Sequence, residues 1–364
     1  MTKDWKLFRG ESKSHGDIKR LLDLAPSWRK FGPKPDSDGD RDYRKKLLAK
    51  AERKSRDLNR GTSFRLRDRE GQVRPRQLEV VDAVNAALYL RRPLLLTGKP
   101  GAGKTSLAYA VARELQLGPV LCWSVTARSN LQDGLYLYDA IARLQDANLL
   151  KGREGDESKS QEGDESKSHK RSIDPLDIGQ YIRLGPVGTA FIPSQYPRVL
   201  LIDEVDKSDI NLPNDLLNLL EEGSYSIPEL KRLAKHGNSV QTVESDDDIE
   251  VDIHQGFVEC HAFPLVIMTS NGEREFPSAF LRRCLRVRMP EPQEEELREI
   301  VKAHLSGELT AAVDKAIGDY ARRSEEEEGN LAVDQLLNLI YLMNQDADRS
   351  SLEKILLQSL SEMG

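Results

Sequence analysis

Apolar residues recur at a regular spacing along this 364-residue chain only after position 76. Five of them are spaced as on one face of a helix, namely Leu78, Val81, Val84, Ala87 and Leu88. The short apolar run at 93–97 then predicts a buried strand, and 106–117 predicts a helix that Gly118 is placed to end. A buried strand that leads into a helix is the repeating unit of α/β proteins.

Three more apolar runs predict buried strands downstream, at 120–125, 198–202 and 263–269. A helix is predicted near 214–222, and from residue 290 the pattern is helical, with about four helices to the end. Strands that alternate with helices form parallel sheets covered by helices. We therefore expect a parallel α/β core followed by an all-helical part.

Two segments interrupt this alternation. Residues 239–262 have the pattern of a β-ribbon, with the acidic residues 246–248 at its tip. Within 151–172, the heptapeptide EGDESKS occurs at 154–160 and again at 162–168. A polar tandem duplication has no face that a core could bury, so we expect this low-complexity insertion to be a disordered surface loop.

Charge is distributed unevenly along the chain. Residues 1–76 contain 23 Lys or Arg and 12 Asp or Glu, whereas the remainder contains 31 and 48. A basic segment joined to an acidic body indicates an interaction segment or association between unlike surfaces.

The first 75 residues show little apolar periodicity. Two aromatic and basic clusters stand out, WKLFRG and PSWRKF, and 18–24 could form a short helix between them. Residues 41–60 are largely charged, which favours a solvated segment. We expect 1–75 to be a largely irregular arm whose aromatic residues dock on the chain's own body. Nucleic-acid binding through basic and stacking groups is the weaker alternative.

Composition argues against several classes of protein. No apolar run approaches the roughly 18 residues of a membrane-spanning helix, and the first ten residues lack the apolar stretch of a secretory signal. Cys122, Cys260 and Cys284 form no CxxC pair, and the six histidines form no HxxxH pair. We therefore expect no disulfide scaffold and no Cys- or His-based zinc site, and we expect a cytoplasmic protein.

The segment GKPGAGKT at 98–105 matches the pattern GxxxxGK[ST] and lies between a predicted strand and a predicted helix. Its glycines allow the backbone to wrap a phosphate closely, so that successive N–H groups point inward. Lys104 would then reach the β- and γ-phosphates, and Thr105 would offer its hydroxyl to Mg²⁺. The predicted nucleotide-binding residues are Gly98, Lys99, Pro100, Gly101, Ala102, Gly103, Lys104, Thr105 and Ser106.

The predicted strand at 198–202 is followed directly by two acids, Asp203 and Glu204. Open α/β sheets bind their ligands at the carboxyl ends of the strands. Asp203 would hold Mg²⁺ together with Thr105, and Glu204 would polarise the attacking water. Because a protein that merely holds a nucleotide does not need the second acid, the pair predicts hydrolysis.

Two further polar features lie downstream. Asn271 follows the next predicted strand, where its amide could hydrogen-bond the γ-phosphate and the water. Arg282 and Arg283 are adjacent on a short predicted helix and could reach the γ-phosphate of a neighbouring subunit, where they would neutralise transition-state charge. The alternative to this catalytic role is that both arginines lie on the surface and form ion pairs with Asp or Glu.

The order of these elements resembles that of the AAA+ ATPases, and most closely their MoxR-like branch. GPVGTA at 185–190, DEVDKSDINLPNDLLNLLEEG at 203–223 and TSNGEREFPSAFLRRC at 269–284 are similar to passages of that branch. WKLFRG, VNAALYLRRPLLLTGKPGAGKTSLA and DGLYLYDAIARLQ look like a subfamily encoded with von Willebrand A-domain proteins in bacterial conflict systems. The resemblance covers about residues 76–290 well, the N-terminal WKLFRG and PSWRKF clusters in part, and the C-terminal tail weakly.

This resemblance implies an α/β fold, a P-loop AAA+ αβα sandwich with a parallel five-stranded sheet and a C-terminal helical lid domain. Residues 1–75 would form the basic arm, 76–290 the ATPase core with the insertion 151–172, and 291–364 the lid. Carried over residue by residue, the resemblance implies a nucleotide loop with Lys104 and Thr105, and an acidic pair, Asp203 and Glu204. It likewise implies a first sensor at Asn271 and an arginine finger at Arg283, with Arg282 as its substitute.

The implied cofactors are ATP and Mg²⁺, and the implied activity is hydrolysis of ATP to ADP and phosphate. That activity would remodel or activate a protein partner, in the manner of a chaperone, within a ring oligomer. Because an arginine finger acts only across a subunit boundary, a hexamer is expected. The resemblance also implies a von Willebrand A-domain partner. No membrane partner is expected, and nucleic acid is the weaker alternative.

Two other functions remain open at this point. The protein could be a slow ATP-dependent assembly switch that licenses an effector in a bacterial defence or signalling system. The segment NLAVDQ at 330–335 contains no arginine where family members often carry a second sensor, which slightly favours the switch. Lys207 stands where the branch commonly has an arginine. A nucleic-acid-directed motor is supported only by the basic arm.

Overall fold

The computed structural model describes residues 5–11, 13–22, 24–64, 66–67, 70, 72–156, 177–304, 310–326, 332–343 and 345. In these ranges no helix combines the length and the apolar character that crossing a membrane requires.

The N-terminal segment, residues 5–77, contains more helix than its sequence pattern predicts. It has short 3₁₀ turns at Asp17–Leu21, Ser27–Arg29 and Pro75–Gln77, and two α-helices, α1 (Ser37–Arg53) and α2 (Ser55–Ser63). The expectation of a largely irregular arm is therefore wrong for residues 37–63, whereas the charged stretch 41–60 is mostly exposed, as expected. Asp36 caps α1, because its side chain accepts hydrogen bonds from the backbone N–H groups of residues 38 and 39.

The elements of the core alternate as the pattern predicts. In chain order they are α3 (Leu78–Leu90), β1 (Leu94–Thr97), α4 (Lys104–Glu114), β2 (Leu121–Ser124), α5 (Leu131–Leu135), β3 (Tyr136–Tyr138), α6 (Ala140–Asp156), β4 (Ile182–Leu184), α7 (Pro186–Ala190), β5 (Val199–Asp203) and α8 (Leu212–Glu222). They continue with β6 (Ser224–Ser226), α9 (Pro228–Ala234), β7 (Val240–Glu244), β8 (Glu250–His254), β9 (Phe257–Glu259), β10 (Leu265–Ser270), α10 (Ser278–Arg283) and β11 (Leu285–Arg288).

Five of these strands form a parallel sheet in the order β11-β1-β10-β5-β2. Alternate residues of each strand enter the two cores that cover the faces of the sheet. On β5, for example, Leu201 packs into one core, whereas Leu200 and Ile202 pack into the other. The fold is thus the predicted α/β sandwich around a parallel five-stranded sheet.

A second sheet, of mixed direction, has the order β3-β4-β7-β8-β9-β6. Its antiparallel pair β7 and β8 confirms the predicted β-ribbon. At the acidic tip, Asp247 forms a buried ion pair with Arg198 at 2.8 Å. Helix α6 extends through residue 156, so residues 151–156 of the expected insertion are helical; residues 157–172 lie outside the described residues.

Beyond residue 290, the described residues contain three helices, α11 (Glu294–His304), α12 (Ala311–Glu326) and α13 (Val333–Met343). Their apolar faces pack on one another in a cluster of their own, which includes Leu297, Ile317 and Leu336. Any further helix of the expected tail lies outside the described residues.

The N-terminal segment is attached to the core through buried side chains. Leu7 and Phe8 are fully buried in the core that contains residues of α3, α4 and one face of the parallel sheet, and Phe31 stacks on Phe263 at a centroid distance of 5.1 Å. The expected docking of aromatic residues on the chain's own body is therefore confirmed for Phe8 and Phe31. It is wrong for Trp28, which is 78% exposed.

Candidate functional site

The phosphate-binding loop predicted from the sequence connects β1 to the first residue of α4. Gly101 and Gly103 adopt φ values of +77° and +82°, which favour glycine. A Cβ atom at Gly101 would lie 2.6 Å from the backbone nitrogen of Val333, and one at Gly103 would lie 2.8 Å from Cε2 of Phe64. A side chain at either position would strain the backbone and collide with a close neighbour, so both positions require glycine. The loop that they form leads directly into the N-terminus of α4, whose N–H groups can bind a phosphate.

Lys104 lies at that N-terminus and is mostly buried. Its Nζ donates hydrogen bonds to the carbonyl oxygens of Gly98 and Lys99, at 2.6 and 2.8 Å, and to Oδ1 of Asn271 at 2.8 Å. Burial lowers the pKa of Lys104, and the nearby carboxylates, Asp206 first among them, oppose that shift. The ammonium group therefore stands among acceptors that a phosphate oxygen could replace.

Asp203 ends β5 and is bound by two hydroxyl groups. Its Oδ1 accepts hydrogen bonds from Thr105 Oγ1 at 3.1 Å and from Thr269 Oγ1 at 2.6 Å. A carboxylate beside a threonine hydroxyl is the kind of hard oxygen donor set that Mg²⁺ prefers, usually with water and phosphate oxygens completing the octahedron. The donor atoms of Thr105 and Asp203 therefore fit a Mg²⁺ ion.

Glu204 has a left-handed backbone conformation, with φ +58° and ψ +49°, which is uncommon for a residue with a side chain. Its N–H donates to Thr269 Oγ1 at 2.8 Å, so the same threonine orients both acids. The Glu204 carboxylate is about half exposed and pairs with Lys207 at 3.0 Å. Backbone strain of this kind is found at functional sites, where the surrounding structure maintains it.

Asn271 follows β10 and is positioned through Asp206. Oδ2 of Asp206 accepts hydrogen bonds from the N–H groups of Asn271 and Glu273, at 2.9 and 3.1 Å. Asp206 is 4% exposed, and its Oδ1 has no hydrogen-bond partner among the described residues. Sequence reasoning missed both Asp206 and Thr269. Their only sequence signal is their position at or just beyond the ends of β5 and β10.

We call the group formed by Lys104, Thr105, Asp203, Glu204 and Asn271 the polar edge. It lies at the carboxyl ends of β1, β5 and β10, which are neighbours in the sheet. The structure thus brings together the loop, acidic and asparagine residues that the sequence predicts.

Arg282 and Arg283 lie elsewhere, at the end of α10, and neither lines the cavity beside the polar edge. Arg283 Nε pairs with Glu221 Oε1 at 2.5 Å, and its Nη1 donates to the carbonyl oxygen of Ala279 at 3.1 Å. Arg282 is the more exposed of the two. Both arginines are therefore remote from the polar edge of their own subunit.

A cavity of about 530 Å³ opens beside the polar edge. It is lined on one side by residues of the N-terminal segment and on another by the C-terminal helices, namely Arg60, Phe64, Arg74, Gln77, Glu296, Ile300, His304, Val333, Asp334 and Leu337. None of these lining residues was predicted from the sequence. These residues belong to segments without a recognisable motif. They line the cavity only because those segments pack against the core.

Comparison with known proteins gives one family. The model of the AAA domain (dynein-related subfamily) matches residues 93–284, which is more than half of the chain. No curated protein matches.

Two solved structures show weak similarity, each at 14% sequence identity. An inferred ATPase from Cytophaga hutchinsonii ATCC 33406 matches over 72% of this chain and 58% of its own length, with a TM-score of 0.35. PCH-2 from C. elegans matches over 91% of this chain and 70% of its own length, with a TM-score of 0.33. This chain therefore spans less than two thirds of the first of these proteins. The family match together with the geometry of the polar edge leads to one conclusion: this protein belongs to the AAA domain family, in its dynein-related subfamily.

Proposed function

We propose that this protein binds ATP with Mg²⁺ and hydrolyses it, as a member of the MoxR-like branch of AAA+ proteins. One observation carries the proposal. Lys104, the Thr105–Asp203 pair, Glu204 and Asn271 converge at one edge of the parallel sheet, beside a cavity of about 530 Å³. This size falls within the range of small-molecule sites, which extends from about 300 to 1,000 Å³.

Nucleotide binding depends on Lys104 and the backbone of the loop. When the triphosphate enters, the Lys104 ammonium exchanges its hydrogen bonds to the loop carbonyls and to Asn271 for phosphate oxygens. The amide of Asn271 is then available to the γ-phosphate. Its position is maintained, because Asp206 binds the Asn271 backbone rather than the side chain.

Hydrolysis depends on Asp203, which ends β5, and on Glu204, which follows it. Thr105 and Asp203 would hold Mg²⁺, which neutralises phosphate charge when it is bound. Glu204 would accept a hydrogen bond from the attacking water and orient it. Thr269 contacts both Asp203 and the Glu204 backbone, so it sets the geometry between the metal ligand and the base.

The remote position of Arg283 supports a ring. An arginine that is bound to Glu221, away from its own polar edge, can reach a γ-phosphate only across a subunit boundary. We propose that Arg283 is the finger, that Arg282 can substitute for it, and that six copies form the ring. Residues 76–290 would then be the ATPase core, and 291–364 would be the lid over the nucleotide.

The partner is proposed from the sequence resemblance alone. ATP turnover would remodel or activate a protein with a von Willebrand A domain. A cytoplasmic location is consistent with such a role.

A second function is favoured by the contact between Glu204 and Lys207. An ammonium group 3.0 Å from the base competes with water for the carboxylate, which would slow hydrolysis. The protein would then act as an ATP-dependent assembly switch that licenses an effector. Lys207→Ala distinguishes the two functions, because it accelerates phosphate release severalfold in a switch and leaves it nearly unchanged in a motor.

The proposal is tested with two variants of the polar edge. Lys104→Ala should abolish ATP binding, whereas Glu204→Gln should retain binding and block phosphate release. Binding is measured by titration calorimetry, and ring assembly by sizing with and without ATP. A Glu204→Gln protein with near-normal turnover would remove the basis for the assignment of the base.

A further inference from the structure

The N-terminal segment contributes one wall of the cavity beside the polar edge, through α2. This helix packs directly against α4, the helix that follows the phosphate-binding loop. At Gly61 the two helices approach so closely that a Cβ atom would lie 2.9 Å from the carbonyl oxygen of Tyr109. One turn later, the ring of Phe64 contacts Gly103 of the loop. The position of α2 relative to the loop is therefore tightly defined.

Arg60 extends from this helix into the cavity wall. Its guanidinium carbon lies 5.3 Å from the centroid of the Tyr109 ring, and its Nη1 donates to the Tyr109 hydroxyl at 3.4 Å. Tyr109 lies one helical turn after Thr105, and Arg60 lines the same cavity as Thr105 and Ser106. In the described part of the chain, Arg60 forms no ion pair with a carboxylate. A half-buried arginine without an anionic partner, held against an aromatic ring, is prepared to bind an anion.

The two cations of the cavity have different neighbours. Lys104 lies on the β10 side, where it contacts Asn271. Arg60 contacts Tyr109 of α4 on the other flank of the cavity wall. Lys104 and Arg60 therefore present two cations to the same cavity.

We propose that Arg60 contacts the phosphate chain of the bound nucleotide, so that α2 is part of the nucleotide site and supplies a cationic residue within the same subunit. The inference rests on the proposed nucleotide binding and extends it to a residue outside the matched AAA domain. The planar guanidinium can donate two parallel hydrogen bonds to phosphate oxygens, and the Tyr109 ring orients it for that contact.

The test compares Arg60→Ala with Arg56→Ala. Arg56 is exposed on the same helix, one turn earlier, so its variant removes the same charge without changing the cavity. The dissociation constant of a non-hydrolysable ATP analogue with Mg²⁺ is measured by titration calorimetry on the full chain. Arg60→Ala should raise that constant about 10- to 100-fold, because hydrogen bonds to charged groups contribute about 1.5–3 kcal/mol. Arg60→Lys should give an intermediate value, and Arg56→Ala should change it less than twofold.

Two controls keep the outcomes separate. The melting temperature without nucleotide shows whether Arg60→Ala folds; if it does not, Arg60→Gln and Arg60→Lys decide the question. If Lys104→Ala abolishes binding while the Arg60 variants bind like Arg56→Ala, the inference about Arg60 is wrong and nucleotide binding stands. If Lys104→Ala also binds normally, the proposed nucleotide site itself is wrong.

Discussion

The polar edge and the N-terminal segment both depend on contacts between residues far apart in the chain, yet only one of them could be recognised from the sequence. At the polar edge, Lys104 contacts Asn271 across 167 positions. In the N-terminal segment, Phe8 contacts Asn85 across 77 positions. The difference is that each residue of the polar edge ends or follows a strand with its own apolar pattern, and a parallel sheet aligns such ends. The N-terminal contacts involve single side chains without any pattern around them.

The attachment of the N-terminal segment is nevertheless well defined. Oδ1 of the fully buried Asn85 accepts hydrogen bonds from the N–H groups of Leu7 and Phe8, at 2.6 and 3.0 Å, and its Nδ2 donates to the carbonyl oxygen of Phe8 at 2.7 Å. The buried carboxylate of Glu114 accepts from the N–H groups of Arg9 and Glu11, both at 2.6 Å. The side chains of Asn85 and Glu114 thus satisfy backbone groups that a neighbouring strand would otherwise bind.

The largest effect is expected from Arg283→Ala, which tests whether the polar edge is complete within one subunit. ATP binding should remain normal, whereas hydrolysis should fall by about 10³–10⁵-fold, as for the loss of other arginine fingers. Phosphate release measures the effect, and Arg282→Ala is the matched control, with a milder loss. Mixing Arg283→Ala with Lys104→Ala protein should restore some activity, because mixed rings contain interfaces with an intact loop and an intact finger. No recovery in mixtures that still form rings would return Arg283 to a structural role.

Phe8→Ala tests whether the N-terminal segment is an integral part of the fold. Removing a fully buried phenylalanine ring should lower the free energy of unfolding by about 3–5 kcal/mol. Denaturant unfolding measures the change, with Trp5→Ala as the control, because Trp5 is 45% exposed. If Phe8→Ala lowered the free energy of unfolding as little as Trp5→Ala does, the segment would be only loosely attached and far less ordered than the polar edge.

Asn85→Ala separates the hydrogen bonds of this attachment from its apolar contacts. It leaves the buried N–H groups of Leu7 and Phe8 without acceptors, which should cost about 2–3 kcal/mol of unfolding free energy. Glu79→Ala, at an exposed position of the same helix, should stay within about 0.5 kcal/mol. Chemical denaturation of both variants gives the difference, and a cost for Asn85→Ala no greater than that of the control would contradict the assigned role.

The smallest effect concerns Glu114. Burial raises the pKa of Glu114 above its ordinary value of 4.5, while hydrogen bonds from the backbone and from His15 oppose this change. A raised pKa means that the folded state prefers the protonated form. Relative to Glu114→Gln, the wild-type protein should therefore lose stability as the pH rises from about 4.5 through the raised pKa, with a slope of at most about 1.4 kcal/mol per pH unit. Unfolding at several pH values, in a His15→Asn background, measures this slope. A constant difference between the two proteins would show that the hydrogen bonds compensate burial fully.

Several elements could not be predicted, for identifiable reasons. Helices α1 and α2 are rich in charged residues, so no apolar face marks them; α1 begins at the capping residue Asp36, whereas α2 has no capping side chain. In the second sheet the ribbon strands β7 and β8 were predicted, but β3, β4 and β6 have three residues each, which is too short to show a clear alternation. Arg60 and Phe64 reach the cavity only because Gly61 allows α2 to pack closely on α4.

The sequence by itself determined the apolar strands, the loop between β1 and α4, and the identity of the acids and the asparagine at the strand ends. These depend on backbone preferences and on motifs that are local in the chain. Only the tertiary structure decided that Thr269 orients both acids, that Asp206 positions Asn271, that α2 forms a wall of the cavity, and that Arg283 lies away from it. Those placements follow from the burial of side chains and backbone groups across many residues, which local periodicity does not record.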